Sequence, residues 1–207
     1  MSKALSIKVF SDGAVLETML HDLNSGLVTG FTTNPSLMKK AGITSYIGFA
    51  KDVLKEITDY PVSFEVFADD LEGMEQEARR IAALGDNVYV KIPVTNSKGE
   101  STAPLIVRLT AEGIKVNVTA IFTVEQVREV VDALKSGTPA VVSVFAGRIA
   151  DTGVDPMPIM QEALAICREK EGVELLWASP RETFNIYQAD SLGVDIITCT
   201  SDLIKKL

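Results

Sequence analysis

The sequence predicts an α/β protein in which eight strand–helix units close into a single (β/α)8 barrel, the TIM-barrel architecture. Strand-type and helix-type segments alternate along all 207 residues. Their repeat of about 25 residues matches the small end of the size range for this fold. The competing design is an open doubly wound sheet, which often carries a G-x-G-x-x-G turn after its first strand. Here that turn is Asp12-Gly13-Ala14, and no linker or low-complexity stretch follows, so we expect one barrel domain over residues 1–207.

The first half of the chain supplies four predicted strands and three helices. The strands cover residues 7–12, a short segment from about residue 27 into Gly30 and Phe31, residues 62–67 and residues 87–95. The helices cover residues 14–23, 44–58 and 71–84, and the first two have an apolar stripe at helical spacing. Gly85 ends the third helix, and Pro93 ends the fourth strand because proline has no amide proton for a neighbouring strand.

The second half repeats the alternation. Its strands are predicted over residues 116–122, 140–145, 175–179 and 194–199, and its helices over residues 103–112, 124–136, 158–170 and 181–189. Thr123, with Gln126 three residues later, predicts a capping box at the start of the second of these helices. A last helix begins at Asp202 and stops with the chain at Leu207, so we expect this helix to be incomplete.

Composition argues against several classes of function. The net charge of −8 and the isoelectric point near 4.8 argue against general nucleic-acid binding, although they allow a local phosphate site. The single histidine, His21, excludes a multi-histidine metal site, and Cys167 and Cys199 lack metal-ligand spacing, so we predict no metal. No apolar run has membrane-spanning length and no signal-peptide pattern is present. We therefore expect a cytoplasmic protein that does not bind membranes.

Lys91 is the residue on which the functional argument depends. It lies within an apolar strand in which Val88, Val90 and Ile92 take the opposite side, and no acid in the strand can pair with it. Such a lysine reaches a carboxylate on another strand, loses its proton through desolvation, or lies at an edge where its amine reaches water. The second case gives the neutral amine that a Schiff-base nucleophile requires.

Other strands also carry polar residues where a barrel interior is normally apolar. In chain order these are Asp12, Asn34, Glu65, Asn117, Thr119, Ser143 and Ser179, with Phe145 on the same face as Ser143. Each alone has an ordinary explanation, such as a cap for an aspartate or strand propensity for a threonine. Together they can satisfy one another around Lys91, at the barrel end that carries active sites in this fold. The pattern therefore favours a catalytic site.

Two arginine turns are candidate phosphate sites. Arg148 follows the sixth strand in Gly147-Arg148, and Arg181 follows the seventh in Ser179-Pro180-Arg181. Arginine and helix N-termini both favour phosphate, and the late loops of this fold often bind it. The alternative for either arginine is a surface salt bridge. Residues 96–99 are interpreted as a plain polar turn.

With these residues in view, the chain resembles the transaldolase family, in the short form that also contains fructose-6-phosphate aldolases. The resemblance covers nearly the whole chain. It rests on five ordered motifs: Thr32-Thr33-Asn34-Pro35-Ser36-Leu37, Val90-Lys91-Ile92-Pro93, Asn117-Val118-Thr119, Phe145-Ala146-Gly147-Arg148 and Ala178-Ser179-Pro180-Arg181.

The resemblance implies a role for each candidate residue. Lys91 forms a Schiff base with a ketose phosphate such as fructose 6-phosphate or sedoheptulose 7-phosphate. Asp12 is the acid/base for the C4 hydroxyl, and Glu65 and Thr119 hold and activate the catalytic water. The remaining residues line the bound dihydroxyacetone unit (Thr32, Asn34, Asn117 and Ser143) or the phosphate (Arg148, Ser179 and Arg181). No metal or cofactor is implied.

The same resemblance leaves a choice between transfer of the three-carbon unit and simple aldol cleavage. Aldolases of the family usually have glutamine and tyrosine where this chain has Glu65 and Phe145, so transaldolase is favoured and fructose-6-phosphate aldolase remains the alternative. A non-catalytic barrel that binds sugar phosphates is a more distant alternative. Family members are commonly pentamers or decamers, so a homo-oligomer is expected. They usually run further at the C-terminus, which leaves the order of the oligomer open.

Overall fold

We describe the protein from a computed structural model of residues 5–207; the first four residues, with which the predicted domain begins, lie outside the described part. Eight parallel strands form a closed barrel in chain order, which confirms the predicted (β/α)8 fold. The strands are β1 (Lys8–Asp12), β2 (Val28–Thr32), β3 (Val62–Glu65), β4 (Val88–Pro93), β5 (Val116–Ile121), β6 (Ala140–Val144), β7 (Val173–Trp177) and β8 (Ile196–Cys199).

Helices surround this barrel. They are α1 (Leu16–Asn24), α2 (Pro35–Lys40), α3 (Tyr46–Glu56), α4 (Leu71–Ala82), α5 (Ala103–Ala111), α6 (Val124–Ala133), α7 (Ala146–Asp151), α8 (Pro156–Cys167), α9 (Phe184–Leu192) and α10 (Ser201–Ile204). The capping box predicted at Thr123 and Gln126 is present. Within residues 5–207, no helix combines the length and the apolar character needed to cross a membrane.

Two short helices were not predicted. The side chain of Asn34 caps α2 by accepting a hydrogen bond of 2.9 Å from the Leu37 amide, and Pro35 begins the helix. Asparagine followed by proline is a recognised start signal, but six residues are too few to show an apolar stripe. The other missed helix, α7, follows Phe145, which makes no side-chain capping bond that a sequence pattern would indicate.

The boundaries predicted after residue 170 were wrong by two to three residues. β7 is Val173–Trp177 instead of 175–179, because Val173 and Glu174 pair with Ala140 and Val141 of β6. Ser179 therefore lies in the turn after β7, and the next helix begins at Phe184 rather than at residue 181.

Side-chain alternation divides each strand between the helical layer and the barrel interior. On β4, Val88, Val90 and Ile92 are buried at 4% exposure or less, as the sequence predicted, while Tyr89 and Lys91 take the interior side. The lower interior is an apolar cluster of Phe10, Val141, Leu176, Ala178 and Ile196, against which Tyr89 and Phe145 pack. The polar residues Asp12, Glu65 and Lys91 lie toward the C-terminal ends of β1, β3 and β4.

Gly30 makes room for the largest side chain of that cluster. A Cβ atom placed on Gly30 would lie 2.4 Å from a ring carbon of Phe10. The absence of a side chain on β2 therefore allows the Phe10 ring on β1 to fill the barrel. The apolar cluster in the barrel interior therefore depends on glycine at position 30.

Candidate active site

A cavity of about 530 Å³ opens at the C-terminal ends of the barrel strands. Lys91 and most of the other polar residues singled out from the sequence line it. The wall consists of Asp12, Thr32, Asn34, Pro35, Ser36, Leu37, Lys40, Glu65, Lys91, Thr119, Ser143, Phe145, Arg148, Leu176, Ala178, Ser179, Pro180, Arg181, Thr198 and Thr200. Its volume lies in the range of pockets that bind small molecules.

The amine of Lys91 is held between two acceptors. Its Nζ lies 3.3 Å from Oε2 of Glu65 and donates a 3.2 Å hydrogen bond to the backbone carbonyl of Thr33. Lys91 and Glu65 are direct neighbours in the register of β3 and β4, and Lys91 is only 8% exposed. Of the three explanations for a lysine in this strand, the structure therefore shows the carboxylate on another strand.

The two carboxyl groups near Lys91 bind protons more tightly than they would in water. Burial raises the pKa of Asp12, opposed by the charge of Lys91 and by a hydrogen bond from Thr32. Burial also raises the pKa of Glu65, again opposed by Lys91, and the charge of Asp12 adds to the increase. Acids with raised pKa values beside a lysine in a cleft are typical of acid–base catalysis.

A buried hydrogen-bond chain lies beneath one side of the cavity. Ser143 donates a 2.6 Å bond to Oδ1 of Asn117, whose Nδ2 donates a 3.0 Å bond to Oγ of Ser63. Because its proton goes to Asn117, the Ser143 hydroxyl presents lone pairs to the cavity and accepts hydrogen bonds there. Asn117 itself lies below the cavity wall, so it orients Ser143 instead of facing the cavity directly.

Thr119 differs from these neighbours. It lies on β5 next to β4, and its hydroxyl Oγ1 is buried without a hydrogen-bond partner among the described residues. Buried hydroxyls are normally paired, because an unpaired one loses its hydration without compensation. An unpaired hydroxyl in this wall is suited to bind a ligand or a water molecule.

Arg148 lies in α7 and Arg181 in the turn after β7, and these two segments are in direct contact. A Cβ atom on Gly147 would lie 1.5 Å from the carbonyl oxygen of Ser179, so only glycine permits this approach. Ser179 has a positive φ of 59°, a conformation that residues other than glycine rarely adopt. Local strain of this kind is often found at functional sites.

Of the two explanations that the sequence allowed for Arg181, the structure shows the surface salt bridge: its guanidinium contacts the exposed carboxylate of Asp151 at 2.5 Å. The residue also lies in the cavity wall. Arg148 lies 5.6 Å from the centre of the Phe145 ring, whose edge-to-face partner is Phe122. The two cations therefore share one wall, with Arg148 packed on an aromatic ring.

Eleven of the twelve predicted site residues line the cavity, and Asn117 is hydrogen-bonded directly below it. Sequence reasoning missed the lining residues Lys40 and Thr198. Lys40 ends the unpredicted helix α2, and Thr198 looks like an ordinary strand threonine. Residues 96–99 form the expected polar turn, in which Asn96 Oδ1 accepts from the Lys98 and Glu100 amides at 3.0 and 2.9 Å.

A second groove, of about 750 Å³, lies between α2, α3 and α4 outside the barrel. This groove is larger, but the carboxylate in its wall is engaged in backbone hydrogen bonds. Glu77 accepts bonds of 2.6 and 2.9 Å from the amides of Phe67 and Ala68. The lysine cavity contains the convergent polar groups that define a candidate site, so it is the better candidate.

Fold and site together define a (β/α)8 protein with a lysine and two carboxyl groups at the C-terminal end of its barrel. The chain matches the family model described as transaldolase/fructose-6-phosphate aldolase over residues 9–207. The chain therefore belongs to the transaldolase/fructose-6-phosphate aldolase family, as its motifs indicated.

Similar proteins agree with this placement. A protein named probable transaldolase from Methanococcus maripaludis strain C7 is 40% identical over 97% of this chain and 89% of its own length. A protein with the same name from Thermoplasma volcanium is 37% identical over 97% of this chain and 87% of its own length. A third, from Thermoanaerobacter sp. strain X514, is 37% identical over 93% of this chain and 85% of its own length.

Proposed function

We propose that the protein is a transaldolase that transfers a dihydroxyacetone unit from a ketose phosphate to an aldose phosphate through a Schiff base on Lys91. One observation carries the proposal. The nearly buried Lys91 amine faces the cavity 3.3 Å from Glu65, with Asp12 on the same wall and two arginines at its side. A lysine nucleophile, acid–base groups and phosphate partners are what this reaction requires.

The first step is attack of the Lys91 amine on the ketone carbonyl, followed by loss of water to give an iminium. Glu65 is the nearest carboxylate that can remove a proton from the amine. Because burial raises the pKa of Glu65, its carboxyl can hold that proton and return it to the departing hydroxyl. The unpaired Thr119 hydroxyl on the next strand is suited to hold the water that leaves and later returns.

The second step breaks the C3–C4 bond of the bound sugar. Asp12 takes the proton of the C4 hydroxyl, the bond electrons move to the iminium nitrogen, and an aldose phosphate leaves as its aldehyde. The enamine left on Lys91 then attacks the aldehyde of an acceptor, and Asp12 returns its proton to the new hydroxyl. The raised pKa of Asp12 suits it to both directions of this transfer.

The two arginines, Arg148 in α7 and Arg181 in the turn after β7, suit the phosphate groups of donor and acceptor. Arg148 and Arg181 line the same cavity as Lys91, so one bound sugar phosphate can present its ketone to Lys91 and its phosphate to the arginines. The contact of Arg181 with exposed Asp151 is a surface pair, which contributes little to stability and is readily exchanged for a phosphate.

Fructose-6-phosphate aldolase is the second candidate. It would use the same lysine and the same bond cleavage, but water would release the three-carbon unit without an acceptor. Glu65 and Phe145 favour transfer, because the family's aldolases usually have glutamine and tyrosine there. A carboxyl group can take up and release the proton of a water molecule at neutral pH, whereas an amide cannot.

The deciding assay measures glyceraldehyde 3-phosphate release from fructose 6-phosphate with and without erythrose 4-phosphate. Release that requires the acceptor supports transaldolase. Release at the same rate without the acceptor would establish the aldolase and overturn the interpretation of Glu65 and Phe145. Lys91→Met should be inactive in both arms, while Lys98→Met, at an exposed turn, should match the unmodified protein.

A further inference from the structure

A chain of two threonine hydroxyls leads to the Asp12 carboxylate. Oγ1 of Thr198 lies 2.5 Å from Oγ1 of Thr32, which donates a 2.7 Å hydrogen bond to Oδ1 of Asp12. Both threonines are buried, at 7% and 2% exposure. They come from β8 and β2, the two strands that flank β1, so the chain spans the strand that carries Asp12.

The protons in this chain have one consistent arrangement when Asp12 is ionised. A carboxylate only accepts hydrogen bonds, so the single proton of Thr32 is directed at Asp12. The Thr32 oxygen is then the acceptor in its contact with Thr198, and Thr198 must donate. The chain is therefore polarised from Thr198 through Thr32 to Asp12.

We propose that Thr198 is a positioning residue for Asp12, acting through Thr32 to fix the carboxylate and favour its ionised form for proton transfer. The inference rests on the proposed function, because it concerns the same acid–base group. Each donated bond strengthens the next one in a buried chain, and bonds to the ionised form favour that form. Thr32 would thereby be an internal donor to Asp12 as well as a residue lining the substrate.

Other charged groups also act on Asp12, and a substitution at residue 198 leaves them unchanged. The charge of Lys91 on β4 opposes the effect of burial on the pKa of Asp12, and Glu65 and Cys199 also face the Asp12 carboxylate. The other cations in the same cavity wall are Lys40, Arg148 and Arg181. An altered pH profile after removing the Thr198 hydroxyl would therefore report the hydroxyl chain.

The test compares Thr198→Val, which removes the hydroxyl and keeps the shape, with Thr198→Ser, which keeps the hydroxyl. Thr32 can still donate to Asp12 in the valine variant, so no buried donor is left unpaired and we expect the fold to be retained. Misplacing Asp12 should lower kcat about tenfold, with KM for fructose 6-phosphate changed by less than about twofold. The acidic limb of kcat/KM should move to higher pH, because the ionised form of Asp12 loses support.

Thr198→Ser should restore kcat to within about twofold of the original protein, because its hydroxyl can donate to Thr32. Thr138→Val is the matched control. Thr138 lies just before β6, at the opposite end of the barrel, is also 7% exposed, and donates a buried hydrogen bond to the carbonyl of Thr110. It should lower Tm without changing the pH profile. Thr198→Ala provides a second hydroxyl deletion if the valine variant does not fold.

Two results would overturn the inference. One is a folded Thr198→Val or Thr198→Ala protein with the original kcat and pH profile. The other is a serine variant as impaired as valine, which would mean that the methyl group matters through packing. Failure of the proposed function is a separate result: the unmodified protein would then give no reduced substrate adduct on Lys91.

Discussion

A methyl group added at the contact between Gly147 and Ser179 should impair phosphate binding and leave the reaction of Lys91 with a ketone intact. Gly147→Ala would place Cβ 1.5 Å from the Ser179 carbonyl oxygen and 2.5 Å from its carbonyl carbon. Carbon–oxygen contacts are normally no closer than about 3.3 Å, so α7 and the turn after β7 must separate by about 1.8 Å. Separation would also break the 3.2 Å hydrogen bond from the Gly147 amide to the Ala178 carbonyl.

The consequences can be estimated. Overpacking commonly destabilises a protein by about 1–3 kcal/mol, and a backbone clash lies at the upper end. For a chain of this size, about 3 kcal/mol corresponds to a decrease in Tm of roughly 6–12 °C. Displacement of Arg148 and Ser179 by more than 1 Å should raise KM for fructose 6-phosphate by about tenfold or more. Lys91 lies on β4, away from this contact, so its reaction with an unphosphorylated ketone should be preserved.

Two measurements check this reasoning. The first is KM for fructose 6-phosphate at a temperature well below Tm, and the second is the rate of borohydride trapping of Lys91 with dihydroxyacetone, which has no phosphate. Gly13→Ala is the matched control, because a Cβ atom there meets nothing within 4 Å. A folded Gly147→Ala protein with unchanged KM would refute the assignment of these two segments to phosphate. Equal losses with both substrates would show general distortion of the barrel.

Three other predictions follow from the same structure. The double variant Glu65→Gln with Phe145→Tyr should raise acceptor-independent release from fructose 6-phosphate relative to transfer; an unchanged ratio would show that these two residues do not determine the choice. Burial raises the pKa of Asp12 above 3.8, so its contribution to stability is complete below pH 3.8 and is lost as pH rises through the folded-state pKa. Asp12→Asn should therefore be inactive yet gain more in Tm over the original protein at pH 8 than at pH 4, and an equal gain at both would contradict the burial argument. Ser63→Ala removes the acceptor for Nδ2 of Asn117. An unpaired buried amide costs about 1–3 kcal/mol, which calorimetry should show as a lower Tm. Unchanged Tm and kcat would mean that the hydrogen-bond chain through Asn117 does not hold Ser143.

The sequence predicted the barrel and most of its site because both depend on periodic and local signals. Alternation on β4 placed Val88, Val90 and Ile92 against the helices and Lys91 in the interior. Parallel strands in one closed barrel bring their C-terminal ends together, so polar residues at those ends were expected to meet. The family resemblance added the chemical roles, which spacing alone does not give.

The features that the sequence did not reveal depend on three-dimensional contacts. Thr198 looks like an ordinary strand threonine, and its contact with Thr32 exists only because β8 and β2 both flank β1. The Gly147–Ser179 contact likewise joins residues from different segments. The bounds of β7 also depend on its pairing with β6, in which Glu174 lies opposite Val141 and Lys8 contacts its carboxylate.

Reductive trapping tests the central claim most directly. The protein is incubated with fructose 6-phosphate, reduced with borohydride, digested and examined by mass spectrometry. We predict a reduced three-carbon adduct on Lys91, absent from Lys91→Met and retained in Lys40→Met, which removes the other lysine of the cavity wall. An adduct on Lys40 alone, or none on any lysine while the protein still releases glyceraldehyde 3-phosphate, would contradict the Schiff-base account.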